Sequence, residues 1–201
     1  MKNTIRLLFA AILLPASFAA HSAVLDFEDL TLGGTYIVGD SFVTSGVTVL
    51  ANDFFFSDDT RYSGGRANVV NTGLAGGSGN ELEINNINLD FNFGGPIPGL
   101  DLMFGEYGGN LNININGILS NFENFIDING TIIAGVSVAV VNGLGDDIGT
   151  LSLTGNINSF ALGGQELYID NVSVIPIPAA LWLFVTGLIG LIGYGKRRTA
   201  S

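Results

Sequence analysis

Carboxylates are the only abundant reactive side chains in this sequence, and the residues around them limit what they can do. The chain has no cysteine, and its single histidine is His21. Thiol nucleophiles, redox pairs and cysteine-ligated metals are therefore excluded. If His21 leaves with a leader peptide, no imidazole remains to serve a Ser-His-Asp triad. What remains is a set of 18 acidic residues. Paired carboxylates can hydrolyse glycosides, but no spacing here singles out an acid and a base, so no enzymatic activity is expected. Carboxylates combined with backbone carbonyls suit hard cations such as calcium. The groups available are Leu25-Asp26-Phe27-Glu28-Asp29, Asp58-Asp59 near Arg61, Asp146-Asp147 in a Gly-rich turn, and Asp170 in Tyr168-Ile169-Asp170-Asn171. Asp58-Asp59 and Asp146-Asp147 read first as solvated loop charge and second as cation sites.

Amides and aromatic rings are the other groups with binding chemistry. Asn110-Leu111-Asn112-Ile113-Asn114-Ile115-Asn116 alternates without a break. A strand there places Leu111, Ile113 and Ile115 on one face and four asparagines on the other. The plain reading is a half-buried strand with a solvated amide face. The sharper one is a row that binds sugar hydroxyls, because amides both donate and accept. Tyr36, Tyr62, Tyr107, Tyr168 and Phe54-Phe55-Phe56 offer rings for stacking, but the sole tryptophan, Trp182, lies outside this region.

The elements that must position these groups are strands. Period-two alternation recurs over Val24–Glu28, Val47–Ala51, Ile87–Phe93, Leu100–Phe104, Leu111–Ile115, Val136–Val141, Leu151–Thr154 and Leu167–Val174. Paired glycines such as Gly33-Gly34, Gly64-Gly65 and Gly94-Gly95 punctuate the pattern. Residues 24–174 are expected to form one all-β domain, an antiparallel β-sandwich of jelly-roll type. The stretch Thr72–Asn80, rich in glycine, reads as its most flexible loop. All 18 acidic residues but only two of the seven basic ones, Arg61 and Arg66, fall within this span, a formal charge of −16. Such a domain has no means of gripping phosphate, which excludes nucleic acid as a partner.

The two ends carry addresses rather than chemistry. Residues 1–23 have the three parts of a secretory signal peptide: Lys2 and Arg6, the apolar run Leu7–Leu14, and small residues from Ala16 to Ala23. Residues 175–201 hold Pro176-Ile177-Pro178, an uncharged apolar run to Gly195, and Lys196-Arg197-Arg198. A helix from Pro178 to Gly195 would be roughly 27 Å long, close to the ~30 Å hydrocarbon core of a bilayer. The basic cluster places its end in the cytoplasm.

This tail resembles the PEP-CTERM sorting signals of Gram-negative bacteria that make exopolysaccharide, in the variant with an apolar residue between the prolines followed by Ala-Ala-Leu-Trp-Leu-Phe. Ile177 stands where the usual form has glutamate. The resemblance implies recognition of Pro176, Ile177, Pro178, Lys196, Arg197 and Arg198 by an exosortase-like membrane transpeptidase. It also implies passage through the inner membrane on the C-terminal helix, then display on the cell surface or in the extracellular matrix.

The first and last strands of the domain resemble those of galactose-binding-like jelly rolls, which include many carbohydrate-binding modules. There an early carboxylate and an Asp in a closing Tyr-Ile-Asp-x-Val strand often hold a structural calcium. The resemblance implies Glu28 and Asp170 as ligands, with backbone carbonyls supplying most other oxygens. The alternative is that both charges simply solvate the sheet ends. The expected function is that of an exported, non-enzymatic surface or matrix protein associated with exopolysaccharide or biofilm. A carbohydrate-binding protein with a defined glycan ligand is the alternative.

Overall fold

The computed structural model describes residues 24–142 and 147–175. The expected leader (1–23) and, apart from Ile175, the expected sorting segment (175–201), with Pro176, Ile177, Pro178, Lys196, Arg197 and Arg198, lie outside the described residues. Among the described residues no helix is long and apolar enough to cross a membrane.

The described chain is all-β, with one short 3-10 turn at Phe125–Ile128. It opens with β1 (Val24–Leu25), β2 (Thr35–Ile37), β3 (Ser41–Thr44), β4 (Val47–Phe55) and β5 (Arg61–Tyr62). Next come β6 (Arg66–Val70), β7 (Glu81–Asn85), β8 (Ile87–Asn92), β9 (Ile97–Ile115) and β10 (Ile118–Phe122). After the 3-10 turn follow β11 (Ile132–Ile133), β12 (Val136–Asn142), β13 (Ile148–Ile157) and β14 (Phe160–Val174). Every pairing is antiparallel.

Two long strands organise the sheet. In one half the order is β3-β4-β8-β14-β9-β10, through Phe160–Gly164 of β14 and Leu111–Ile115 of β9. In the other half it is β2-β6-β7-β14-β9-β13-β12-β11, through the remaining stretches of the same two strands. The halves meet where the register of β14 shifts between Gly164 and Leu167, opposite Gly108 (φ 152°) and Gly109 (φ 77°) of β9. Glycine permits such backbone, and bulges let strands turn a sandwich corner. The inward faces of both halves, from Val49, Leu89, Ile113 and Leu162 to Leu82, Leu102, Val138 and Leu153, belong to one apolar core. The result is sandwich-like.

Local chemistry accounts for the hairpins. Ser45-Gly46, Asn116-Gly117 and Ala134-Gly135 each join adjoining strands through two residues of positive φ. That pair of torsions matches the right-handed twist of the flanking strands.

Several expectations change. The first strand stops at Leu25 rather than Glu28, because Phe27 (φ 57°) turns the chain with its ring fully buried. Leu100–Phe104 and Leu111–Ile115 are one bent strand, the Gly-rich link between them staying hydrogen-bonded through the corner. The asparagine row keeps Leu111, Ile113 and Ile115 inside, as expected, but its amide face is not simply solvated. Asn110 is 8% and Asn112 1% exposed. The covering comes from the end of β4, whose Phe55 carbonyl accepts Asn121 Nδ2 at 2.9 Å across the face.

Candidate cation site

Glu28 and Asp170 lie far apart in sequence but meet the same loop. Glu28 sits in the turn after β1, where its amide is 3.3 Å from Asp26 Oδ1. Asp170 is on β14, opposite Met103 of β9, and is 1% exposed. Between them runs the loop that joins β6 to β7. A Cβ at Gly79 would lie 1.6 Å from Glu28 Oε1, and one at Gly77 would lie 1.9 Å from Asp170 Oδ2. The two carboxylates thus press on one loop at positions two residues apart, where only glycine leaves room.

That loop is held firmly, contrary to the expectation of a flexible segment. Glu81 begins β7 and is 1% exposed. Its Oε1 accepts the amides of Thr72 and Leu74, each at 3.1 Å, and also the Thr72 hydroxyl, and its Oε2 accepts the Ala75 amide at 2.8 Å. Asn80 ties the loop to the first turn. Its amide donates to Glu28 Oε1 at 2.7 Å, and its Nδ2 to the carbonyls of Leu30 (3.1 Å) and Phe27 (3.3 Å). Sequence reasoning missed Asn80 and Glu81. The available signal was an acidic residue following a run of small residues whose amides had no sheet partners.

The electrostatics are unbalanced. Burial pushes the Asp170 carboxyl up to about 6, and the charges of Glu81, Asp26 and Glu28 add to the effect. The Asn171 amide, donating at 2.6 Å to Oδ1, opposes it. The domain's two cations offer little relief. Arg61 pairs with Asp53 at the β4–β5 hairpin, and Arg66 sits on β6 opposite Asn85 and Ile37. A buried carboxylate beside three others is costly unless something positive joins it.

Among the described residues no three acidic or histidine side chains converge tightly enough to hold a metal by themselves. A cation here would need loop carbonyls for most of its six to eight oxygens, which calcium accepts and transition metals do not favour. The donor set is all oxygen, the flanking charge is negative, and the loop carries no side chain at its two contact points. These features fit calcium.

The other sequence candidates do not gather here. Asp58 Oδ1 accepts the Thr60 amide at 3.0 Å and shapes a turn. Asp146 lies outside the described residues, while the Asp147 carbonyl accepts the Glu106 amide at 2.7 Å. Tyr107 packs edge-on against Tyr168, with ring centroids 5.6 Å apart, and its hydroxyl donates to the Leu74 carbonyl at 3.0 Å. Those two rings buttress the loop, while Tyr36 stacks on Phe42. Tyr62 is exposed on β5, its ring 5.9 Å from that of Phe56. The tyrosines therefore form no shared platform. A further buried acid escaped sequence analysis. Glu106 on β9 is 6% exposed and anchors the 3-10 turn by accepting the Phe125 amide at 2.8 Å. Burial raises its carboxyl to about 7, the Phe125 bond opposes this, and Asp127 and Asp147 add to the rise.

No protein-family model, curated protein or solved structure matches the chain.

Proposed function

We propose that this is an exported, non-enzymatic surface or matrix protein, delivered by an exosortase-type system and associated with exopolysaccharide. Its domain is a compact acidic sandwich of jelly-roll type, stiffened by calcium between Glu28, Asp170 and the Gly77–Gly79 loop. The observation that carries this reading is the convergence of the first turn and the last strand on one glycine loop, with Asp170 buried and its charge uncompensated. Calcium would neutralise Asp170 and tie both chain ends of the domain to the loop, a structural role needing no substrate cleft. The leader, the Pro176-Ile177-Pro178 motif and the basic Lys196-Arg197-Arg198 end support the address. The test is the intact mass of the protein recovered from its native host. Loss of the leader and of the segment after the prolines is expected. A mass retaining Lys196-Arg197-Arg198 would overturn sorting by transpeptidation.

A further inference from the structure

The outward face of the β3-β4-β8-β14-β9-β10 half-sheet is far from the cation site and has its own chemistry. Its strands bring polar residues into register across the sheet. Asn52 of β4, Asn88 of β8, Gly163 of β14, Asn112 of β9 and Asn121 of β10 form one transverse row. Two residues along, the next row reads Leu50, Asp90, Ala161, Asn114 and Leu119. The central strand β14 thus carries Gly163 and Ala161 where its neighbours carry longer side chains. A trough results along β14, with amides, a carboxylate and leucines as its walls.

Two adjoining depressions of about 270 and 410 Å³ share Asp90 and Ser159; the smaller is floored by Ala161 of β14, and the larger lies beside it against β3, β4 and β8. The larger volume is within the range of small-molecule sites, roughly 300–1,000 Å³, and the smaller falls just below it. Phe55 and Phe93 stand in their walls, one in each.

Buried hydrogen-bonding atoms without partners point to a ligand. Asn88 is 8% exposed, lines the smaller depression, and spends its Nδ2 on the Asp53 carbonyl at 2.7 Å. Its Oδ1 is buried and unpartnered, as is Oδ1 of Asp53 in the same wall. Asn88 Oδ1 also leans over the trough floor, since a Cβ at Gly163 would lie 2.0 Å from it. Buried polar atoms left unmatched cost about 1–3 kcal/mol each, so a wall that keeps two side by side is built for groups that complete them. Asp90, between the depressions, has its carboxyl raised by burial. The need is for donors, which hydroxyl groups supply without adding charge. Asp53 has its other oxygen paired with Arg61, so Asp90 is the carboxylate in the linings that no cation opposes, which disfavours anionic ligands.

We infer that this trough binds an uncharged saccharide chain, its hydroxyls completing Asn88, Asp53 and Asp90 and its C–H faces resting on Leu50, Leu119 and Phe55. The inference deepens the proposed association with exopolysaccharide and rests on it for the source of the glycan. It names the neutral class and the face that receives it.

The test titrates the mature protein, purified from its host in calcium, with cellohexaose, mannohexaose, xylohexaose, isomaltohexaose and chitohexaose by isothermal titration calorimetry. Hexagalacturonate serves as the anionic counterpart. At least one neutral hexasaccharide should bind. Asp90→Ala should weaken it about tenfold or more, the loss expected for one hydrogen bond to a charged group. Ala161→Phe, which fills the floor on the solvent side, should abolish it. Both variants should keep the wild-type melting temperature in calcium, whereas Glu28→Gln should lower the melting temperature and leave saccharide affinity unchanged. Silence with every neutral sugar up to about 10 mM, weaker than any dedicated site, would overturn the inference. So would equal affinity for hexagalacturonate, or binding indifferent to both trough substitutions. None of these failures touches the calcium response or the mass of the processed chain, so the functional proposal stands or falls separately.

Discussion

Replacing Asp170 by asparagine should stabilise the domain in chelator and destabilise it in calcium. The side chain is 1% exposed, and burial with neighbouring charge raises its carboxyl from 3.8 to about 6. A raised folded pKa means that the protonated form is favoured. That contribution is fully present below the ordinary carboxylate range and is lost as pH rises through about 6. At about pH 8 without calcium the ionised group therefore opposes folding by up to ~3 kcal/mol, at ~1.4 kcal/mol per pKa unit. Asparagine keeps the shape, leaves an oxygen for the Asn171 amide, and removes the charge. The variant should accordingly gain ~1–3 kcal/mol in chelator, allowing for relaxation around the charge. Calcium at about a hundred times its dissociation constant stabilises a binding-competent fold by ~2.7 kcal/mol, and asparagine forfeits most of that. Urea unfolding followed by far-ultraviolet circular dichroism, for both proteins in chelator and in calcium, measures all four free energies. A variant less stable by the same amount in both conditions would refute the reasoning, because Asp170 would then be an ordinary structural acid. So would a wild type indifferent to calcium.

Glu106→Gln isolates a second buried acid. The Glu106 carboxyl rises from 4.5 to about 7, so its contribution to stability is present below the lower value and lost as pH climbs through the higher one. The variant should gain on wild type by up to ~3 kcal/mol between about pH 4.5 and pH 8, and parallel pH–stability profiles would contradict this. Gly79→Ala should cost ~1–3 kcal/mol for a side chain at positive φ and also blunt the calcium response, since its Cβ would meet Glu28 Oε1. Gly39→Ala, at φ 95° with nothing within 4 Å, should show the backbone cost alone in the same melts. Glu81→Ala strands the amides of Thr72, Leu74 and Ala75. A loss of about 3–5 kcal/mol is expected, with proteolytic nicking of residues 72–80 appearing well before global unfolding.

The sequence alone determined the class of the fold, because period-two alternation is a local property that survives without knowledge of neighbours. It was enough to place β4, β8, β12 and most of β9 and β14, and to put Leu111, Ile113 and Ile115 inside. It also limited the chemistry, since a domain without cysteine, lysine or an internal histidine is left with carboxylates, amides, hydroxyls, rings and two guanidinium groups. The short strands β2, β6, β7 and β10 were not legible. Their side chains alternate weakly, and pairing with longer strands fixes them. Tertiary structure decided which acids matter. Glu81 and Glu106 look like any other glutamates until the fold withdraws them from water and aims loop amides at them. Glu28 and Asp170 were named from a resemblance, but only the fold shows that they press on glycines two residues apart. The amide row of β9 shows the same division. Alternation set which face the asparagines take. Whether that face meets water or the end of β4 depended on how a strand distant in sequence crosses it, and no local pattern encodes that.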